Sequence, residues 1–206
     1  IPRANSNYCQ TALSLASSLN YRYLDDVARL MGPDAQGWSP VFRMIRNSAV
    51  SADLKRLGYR TVAFSSGYSL TEVRQASIYL QPRVRLSEFA TVLINTTPLP
   101  IILLRTGARY GLHRERINYT FDTIPDIAGQ YCPKFVFAHI CAPHPPFVFT
   151  ADGRPLSPLR RFTITDGDDS TAEIDARDYR RGYAAQARWI ARKTEKMVDN
   201  LLPQSP

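Results

Sequence analysis

Thr11 is the first residue whose type and position suit the chemistry of phosphate esters. It opens an apolar stretch rich in small residues, Thr11 to Leu24, in which Leu15, Leu19 and Tyr23 recur at helical spacing. The unpaired N–H groups and the positive dipole at the start of a helix stabilise an alkoxide or a phosphoryl oxygen, especially beside a divalent cation. A second interpretation is structural: Thr11 caps the helix, or Ser6 or Asn7 upstream does so.

Two histidines accompany the most apolar strand pattern of the chain. The run from Lys134 to Ile140 is almost unbroken in its apolar character, which predicts a central strand buried on both faces. His139 is expected in this strand, and His144 in the proline-rich loop after it, where open α/β sheets bind ligands. A neutral imidazole there binds a metal ion, and a protonated one binds an anionic oxygen.

Cysteine and carboxylate side chains offer two alternative metal sites. A zinc set is conceivable, but its spacing matches no C-x-x-C or H-x-x-x-H pattern, so buried thiols are favoured. The acidic run from Asp166 to Glu173 suggests calcium, but it lacks the glycine and the final glutamate of an EF-hand loop. A solvated loop before a helix is therefore favoured for that run. The four residues of the zinc set are Cys132, His139, Cys141 and His144.

The composition is that of a globular protein with a basic balance of charge. Apolar residues make up 44% of the 206 residues, which is too many for a disordered chain. The net charge of +8 favours anionic partners, but no stacking platform or recognition motif indicates a nucleic acid. The longest apolar stretch, Phe89 to Leu104, is interrupted by prolines and does not predict a membrane span.

Helical and strand patterns alternate along the chain, which predicts an α/β protein. Ser39 and Pro40 start a predicted helix that runs to Leu57, and a strand is expected from Tyr59 to Ser65. The other predicted elements are a short helix at Thr71 to Leu80, an interrupted helix at Leu86 to Leu104 and a long amphipathic helix at Ala176 to Leu202, while Arg105 to Gln130 has no clear pattern.

Four segments together resemble the sulfatase-like branch of the alkaline phosphatase superfamily. The nearest likeness is to the membrane-anchored phosphoethanolamine and phosphoglycerol transferases and the lipoteichoic acid synthases. The first and third segments are specific in combination, whereas the other two are generic. In chain order, the segments are Asn7 to Asn20, Leu57 to Ser65, Phe135 to Phe147 and Tyr179 to Leu202.

The resemblance implies a partial α/β/α sandwich with a central, mostly parallel sheet flanked by helices. It implies a single partial catalytic domain over residues 1–206, without the upstream and downstream strands that carry metal ligands. Thr11 corresponds to the family's metal-coordinating nucleophile, and His144 to a histidine near the phosphoryl oxygens of the substrate. In the implied two-step reaction, Thr11 attacks phosphorus or sulfur, and the covalent intermediate passes its group to water or an acceptor hydroxyl.

The chain also departs from the family pattern. The segment Cys9 to Leu13 does not match the sulfatase signature, so a formylglycine at Cys9 and sulfate ester chemistry are not expected. The sequence contains no Asp-His dipeptide and begins too late for the family's upstream acidic ligand. We therefore expect this piece alone to be inactive and to bind metal poorly, whereas the intact protein would hold zinc or manganese.

Two functions follow from these expectations. The first is a metal-dependent phosphoryl transferase or ester hydrolase, which acts on an anionic phosphate-ester or lipid substrate. It would face outwards from a bacterial cell membrane, in the periplasm or outside the cell, with its anchor beyond this chain. The second is a non-catalytic relative that keeps the fold as a binding or assembly module, which the missing ligands favour if the chain end is natural.

Overall fold

The computed structural model describes residues 5–32, 37–83, 97, 108–130, 133–156 and 175–204. The chain divides into two compact units, and each is built from two segments. The first unit comprises Ile1–Leu80 and Tyr131–His139, and the second comprises Gln81–Gln130 and Ile140–Pro206.

A three-stranded parallel sheet forms the centre of the first unit. Its strands are β1 (Arg60–Phe64), β2 (Ile78–Leu80) and β3 (Lys134–Phe137), and β1 lies between the other two. After its first residue, β1 is buried throughout. Its apolar and β-branched residues suit a parallel strand covered on both faces.

Four helices of the first unit precede β1 in the chain. They are α1 (Thr11–Ser18), α2 (Asp25–Met31), α3 (Ser39–Arg46) and α4 (Ala49–Arg56). The apolar faces of α1, α2 and α3 form one core with the sheet, because an amphipathic helix buries its apolar stripe against another element. The buried members of this core are Ala12, Ala16, Leu24, Val27, Val41, Ile45, Ala63 and Val73.

The prediction of one continuous helix from Ser39 to Leu57 is wrong, because α3 and α4 are separate helices. The start at Ser39 is confirmed, but α3 ends at Arg46. The hydroxyl of Ser48 then caps α4 by accepting a hydrogen bond from the backbone N–H of Ser51 at 3.3 Å. A serine that caps a new helix competes with the continuation of the old one.

The side chain of Asn20 joins three helices of the first unit. Its Nδ2 group donates to the carbonyl of Ala16 at 2.8 Å and to the carbonyl of Met44 at 2.9 Å. Its Oδ1 atom accepts from the backbone N–H of Ala49 at 3.0 Å. One amide therefore satisfies backbone groups at the end of α1, within α3 and at the start of α4.

Replacement of this amide is expected to destabilise the first unit. Asn20→Ala leaves the carbonyl of Met44 and the N–H of Ala49 without this partner, so we expect the free energy of unfolding to fall by about 2–3 kcal/mol. Urea denaturation measures the change. Asn200→Ala, at an exposed position, is the matched control and should change stability by less than about 0.5 kcal/mol. Equal effects of the two substitutions would contradict the role of Asn20.

Two long helices dominate the second unit. They are α5 (Ala108–Asp126) and α6 (Ala176–Leu201), and they pack against each other. The prediction of a long amphipathic helix at the end of the chain is confirmed, and Arg180, Arg188 and Arg192 lie on its exposed surface. The buried members of the core are Tyr110, Ile117, Phe121, Val148 and Phe149.

Two other predictions of local structure are wrong, and one region without a prediction forms a helix. The region Thr71 to Leu80 is not a helix, because a 3-10 turn at Ser69–Thr71 is followed by strand β2. Strand β3 is half-buried and pairs, among the described strands, with β1 alone, so β1 takes the central place that the sequence assigned to β3. Most of the region Arg105 to Gln130, which has no clear sequence pattern, forms α5. Tertiary contacts override weak local signals at these places.

The architecture is a mixed α/β fold with a small parallel sheet flanked by helices, which confirms the predicted class. Across the described ranges, no helix is both long enough and apolar enough to cross a bilayer. Apart from Thr97, the predicted helix at Leu86 to Leu104 lies outside the described residues. The acidic run from Asp166 to Glu173 and Cys132 of the zinc hypothesis lie outside them too.

Candidate functional site

Thr11 is the first residue of α1, and its side chain is exposed. The N-cap residue is Gln10, whose backbone is extended and whose side chain makes no capping hydrogen bond. The interpretation of Thr11 as the helix cap is therefore wrong. Its hydroxyl lies in the first turn, where backbone N–H groups have no partner within the helix and attract a negative charge.

The prediction that Ser6 or Asn7 caps α1 is also wrong. Both side chains contact Ser14 in the second turn of the helix instead. The Ser14 hydroxyl donates to Oδ1 of Asn7 at 2.6 Å, and Oγ of Ser6 lies 3.2 Å from Oγ of Ser14. These two contacts hold the segment before the helix against α1. The backbone N–H groups at the beginning of α1 therefore have no side-chain cap.

His144 lies half-buried in the loop after β3, as predicted. Its Nδ1–H group donates to the carbonyl of Pro145 at 2.5 Å. Because Nδ1 is used in this way, Nε2 is the ring atom left to meet a substrate. Nε2 donates a hydrogen bond to an anionic oxygen only when the imidazole is protonated, since a neutral ring carries one N–H.

Gln186 on α6 holds the loop of His144, and sequence reasoning missed it. Its Oε1 atom accepts from the backbone N–H groups of Val148 at 2.7 Å and Phe149 at 3.2 Å. Its Nε2 group donates to the carbonyl of His144 at 3.1 Å. One turn earlier, the ring of Phe147 packs onto Gly182, where a Cβ atom would overlap it. The sequence did contain a signal for this role, because Gln186 is a glutamine on the apolar face of the predicted helix Ala176 to Leu202.

Loss of the Gln186 amide should release this loop. Gln186→Leu leaves two buried N–H groups without an acceptor, so we expect a loss of about 2–4 kcal/mol in the free energy of unfolding. Hydrogen exchange at Val148 and Phe149 should accelerate in parallel. The same substitution at the exposed Gln204 is the control. Unchanged protection of both amides in Gln186→Leu would disprove the assignment.

A second group of polar side chains lies at the carboxyl ends of β1 and β3, in the first unit. Thr71, fully buried, places its Oγ1 atom 2.8 Å from Nδ1 of His139. The same hydroxyl donates to Oγ of Ser66 at 2.9 Å. The ring of Tyr68 lies beside that of His139, with 6.4 Å between the ring centres. The prediction that His139 lies in the strand is wrong, because β3 ends at Phe137; His139 follows it and joins this polar group.

Glu72 is the acidic centre of this group and is buried. Its Oε1 atom accepts from the N–H of Gly67 at 2.7 Å and from the hydroxyl of Ser65 at 3.2 Å. The hydroxyl of Tyr79 donates to Oε2. Burial, followed by the hydrogen bond with Glu72, raises the pKa of Tyr79. The signal missed in the sequence was the polar Ser-Ser-Gly turn directly after a buried strand.

The third histidine of the chain is buried in the second unit and stays neutral. Burial, followed by the positive charge of Arg116, lowers the pKa of His113 from 6.5 to about 3. The unfolded chain therefore binds a proton at His113 between pH 6.5 and about 3 that the folded chain does not bind. Protonation favours the unfolded state as the pH falls through this window.

The pH dependence of stability should report this burial. From pH 7 to pH 5 we expect His113 to lower the free energy of unfolding by about 2 kcal/mol, since one proton contributes about 1.4 kcal/mol per pH unit below 6.5. In His113→Leu the decrease between these two pH values should shrink by that amount, as measured by urea denaturation. Above pH 7.5 the two proteins should show parallel curves, because His113 is then neutral in both states. An equal decrease in both proteins would contradict a neutral His113.

The predicted metal ligands do not form a metal site in the described part of the chain. No group of three or more His, Cys, Asp or Glu side chains there is arranged to hold a metal ion. Nδ1 of His139 is hydrogen-bonded to Thr71, and Cys141 is a buried cysteine. Within the described ranges, Thr11 therefore belongs to no group of carboxylates and imidazoles of the kind that zinc and manganese prefer.

The two predicted site residues belong to different units. Thr11 lies in the first unit and His144 in the second, so their meeting at one substrate stays a prediction. His139, Thr71 and Glu72 belong to the same unit as Thr11. The described residues therefore hold two partial sites: a helix start with a hydroxyl, and a polar network at the sheet edge.

The first unit defines the class of protein: an α/β fold with a polar site at the carboxyl edge of a parallel sheet, which is where such sheets bind ligands. Comparisons of the chain with protein-family models, with curated proteins and with solved structures find no match. Function is therefore argued from the residues themselves.

Proposed function

We propose that the chain is part of an enzyme that transfers or hydrolyses phosphate esters through a covalent intermediate at Thr11. One observation carries the proposal: an exposed threonine hydroxyl in the first turn of α1, with no side chain capping the helix. The N–H groups of this turn suit the oxygens of a phosphoryl group, and the resemblance to the sulfatase-like branch of the alkaline phosphatase superfamily supplies the chemistry.

The proposed reaction has two steps. Oγ1 of Thr11 forms a bond to phosphorus while the bond to the leaving group breaks, and the phosphoryl group then passes to water or an alcohol. The N–H groups of α1 stabilise the charge that develops on the phosphoryl oxygens. His144, when protonated, would add a hydrogen bond from Nε2, since Nδ1 is held by Pro145.

A divalent metal ion, zinc or manganese, is part of the proposal only through the family resemblance. When bound, such an ion would lower the pKa of the threonine hydroxyl and offset the charge of the phosphate. Thr11 would be one of its ligands, and the acidic and Asp-His ligands would come from outside these 206 residues. We extend the alkaline phosphatase-like sandwich, the single domain and the outward-facing membrane location to the intact protein on the same basis.

The alternative is a non-catalytic relative that binds or assembles through the same fold. The observation that favours it is the lack of a complete metal-ligand group among the described residues. The reading frame that encodes the chain discriminates between the two functions. An acidic ligand upstream together with an Asp-His-Gly segment downstream supports the enzyme, and their absence supports the module.

The test of Thr11 uses the protein translated from that whole reading frame. Thr11→Ala should lower kcat/KM for a phosphodiester by about 10⁴-fold or more and remove the phosphorylated Thr11 peptide from mass spectra. Thr11→Ser, which keeps the hydroxyl, is the matched control and should keep part of the activity and the covalent adduct. Equal turnover by wild type and Thr11→Ala would refute the covalent mechanism.

The 206-residue chain alone provides a second test. With added Zn²⁺ or Mn²⁺, its phosphodiesterase rate should equal that of Thr11→Ala, because the sequence has no Asp-His pair to complete the metal site that the resemblance implies. Robust turnover that Thr11→Ala abolishes would support Thr11 but contradict the need for ligands outside this chain.

A further inference from the structure

An open hollow in the first unit lies between the turn after α1 and the helices α2 and α3. Its volume is about 500 Å³, and small-molecule sites occupy about 300–1,000 Å³. Leu30 on this hollow is 88% exposed, so a ligand that covers it removes apolar surface from water. The apolar side of the hollow is formed by Val27, Leu30, Met31, Pro40 and Met44.

Two arginines bring positive charge to this hollow. Arg22 belongs to the turn after α1, and Arg43 belongs to α3. Among the described residues that line the hollow, none is acidic. Within the same ranges, neither guanidinium forms an ion pair. A guanidinium binds carboxylate or phosphate oxygens through two parallel hydrogen bonds, so the hollow is complementary to an anionic group.

The turn that carries Arg22 has a fixed backbone. Tyr21 has a φ of 55°, in the left-handed region that a residue other than glycine adopts at a cost in free energy. The backbone N–H of Arg22 donates to the carbonyl of Ser17 at 3.3 Å, and its carbonyl accepts from the Ser17 hydroxyl at 2.6 Å. Asn20 ties the same turn to α3 through the carbonyl of Met44 at 2.9 Å. These bonds hold the backbone of Arg22 beside α3, the helix of the second arginine.

The side chains around the hollow restrict the class of ligand. Among the described residues that line it, none is aromatic, so a nucleobase would find no ring on which to stack. An inorganic anion would leave the apolar side uncovered, and a neutral hydrocarbon would leave both guanidinium groups unused. An alkyl chain with an anionic head uses both features. The thioether side chains of Met31 and Met44 suit such a chain, because methionine adapts its shape to an apolar partner.

We propose that this hollow binds an anionic amphiphile. Arg22 and Arg43 bind the carboxylate or phosphate oxygens of the head, and Leu30, Met31 and Met44 contact the alkyl chain. This chemistry belongs both to a lipid in a bilayer and to a free amphiphile in solution, and the experiments below separate the two sources. The site shares no residue with the proposed reaction at the start of α1, so the inference does not rest on the proposed function.

The first experiment uses the methionine methyl groups as reporters. The chain has three methionines; Met31 and Met44 line the hollow, whereas Met197 lies in the second unit. Decyl phosphate is added below its micellar concentration to the 206-residue chain with ¹³C-labelled methionine methyls. We expect the signals of Met31 and Met44 to shift and that of Met197 to stay in place, with leucine substitutions providing the assignment. No shift of Met31 and Met44, or an equal shift of all three signals, would overturn the site.

Charge variants test the two arginines. Arg22→Gln and Arg43→Gln should each raise the Kd for decyl phosphate by about tenfold, since each removes a charge-assisted hydrogen bond. The matched control is Arg56→Gln on α4, which does not line the hollow and should change the Kd by less than about twofold. All three side chains are exposed, so the fold should be retained. Equal effects of the three substitutions would contradict a role of Arg22 and Arg43 in binding.

The apolar side of the hollow is tested at Leu30. Leu30→Ser should weaken the binding of decyl phosphate by about threefold and leave that of inorganic phosphate unchanged, because only the alkyl chain contacts this side chain. Thr11→Ala should bind decyl phosphate as the wild type does, which separates this result from the test of the proposed function. An affinity for decyl phosphate no greater than that for inorganic phosphate or for decanol would overturn the proposal.

The last experiment identifies the source of the ligand by co-sedimentation with vesicles. Sedimentation with phosphatidylglycerol but not with phosphatidylcholine, reduced by Arg43→Gln, supports the site and indicates a bilayer lipid. Binding of monomeric decyl phosphate without sedimentation supports the site and indicates a free amphiphile. Binding to neither decyl phosphate nor phosphatidylglycerol vesicles would refute it.

Discussion

The parallel pairing of β1 with β3 is the constraint on which the first unit depends. It brings together segments that lie far apart in the chain, since Thr71 and His139 are separated by 68 residues. The turn after β1 supplies hydroxyl groups, the end of β3 supplies an imidazole, and β2 supplies the phenol that bonds to Glu72. Without this pairing, Thr71 and His139 would lose their hydrogen bond to each other, and burying their polar atoms would cost free energy. With it, each becomes the partner of another.

In both units, backbone segments are held in place by polar side chains as well as by the apolar cores. Asn20 satisfies carbonyl and N–H groups of three helices, and Gln186 does the same for the loop of His144. Buried amides are specific in this role, because a carboxamide offers both donors and an acceptor in fixed geometry. The loop that carries His144 is therefore held by an amide that takes no part in the proposed chemistry.

The sequence was sufficient for elements with strong local signals. The last helix was predictable because its apolar residues repeat at helical spacing, and the strand at Arg60–Phe64 because an apolar run follows a glycine. The region Thr71 to Leu80, which contains β2, was predicted as a helix, since the signal of a three-residue strand is weak until the neighbouring strand pairs with it. The break between α3 and α4 depended on one serine cap, which competes closely with helix continuation.

The sequence alone determined the α/β class, the position of Thr11 at the beginning of a helix and the loop that carries His144, because these follow from local periodicity and from prolines. Only the tertiary structure decided that β1 is the central strand and that His139 joins a network with Thr71, Ser66 and Glu72. The physical reason is that hydrogen bonds between side chains depend on strand register and burial. Neither of these is encoded in the spacing of residues along one segment.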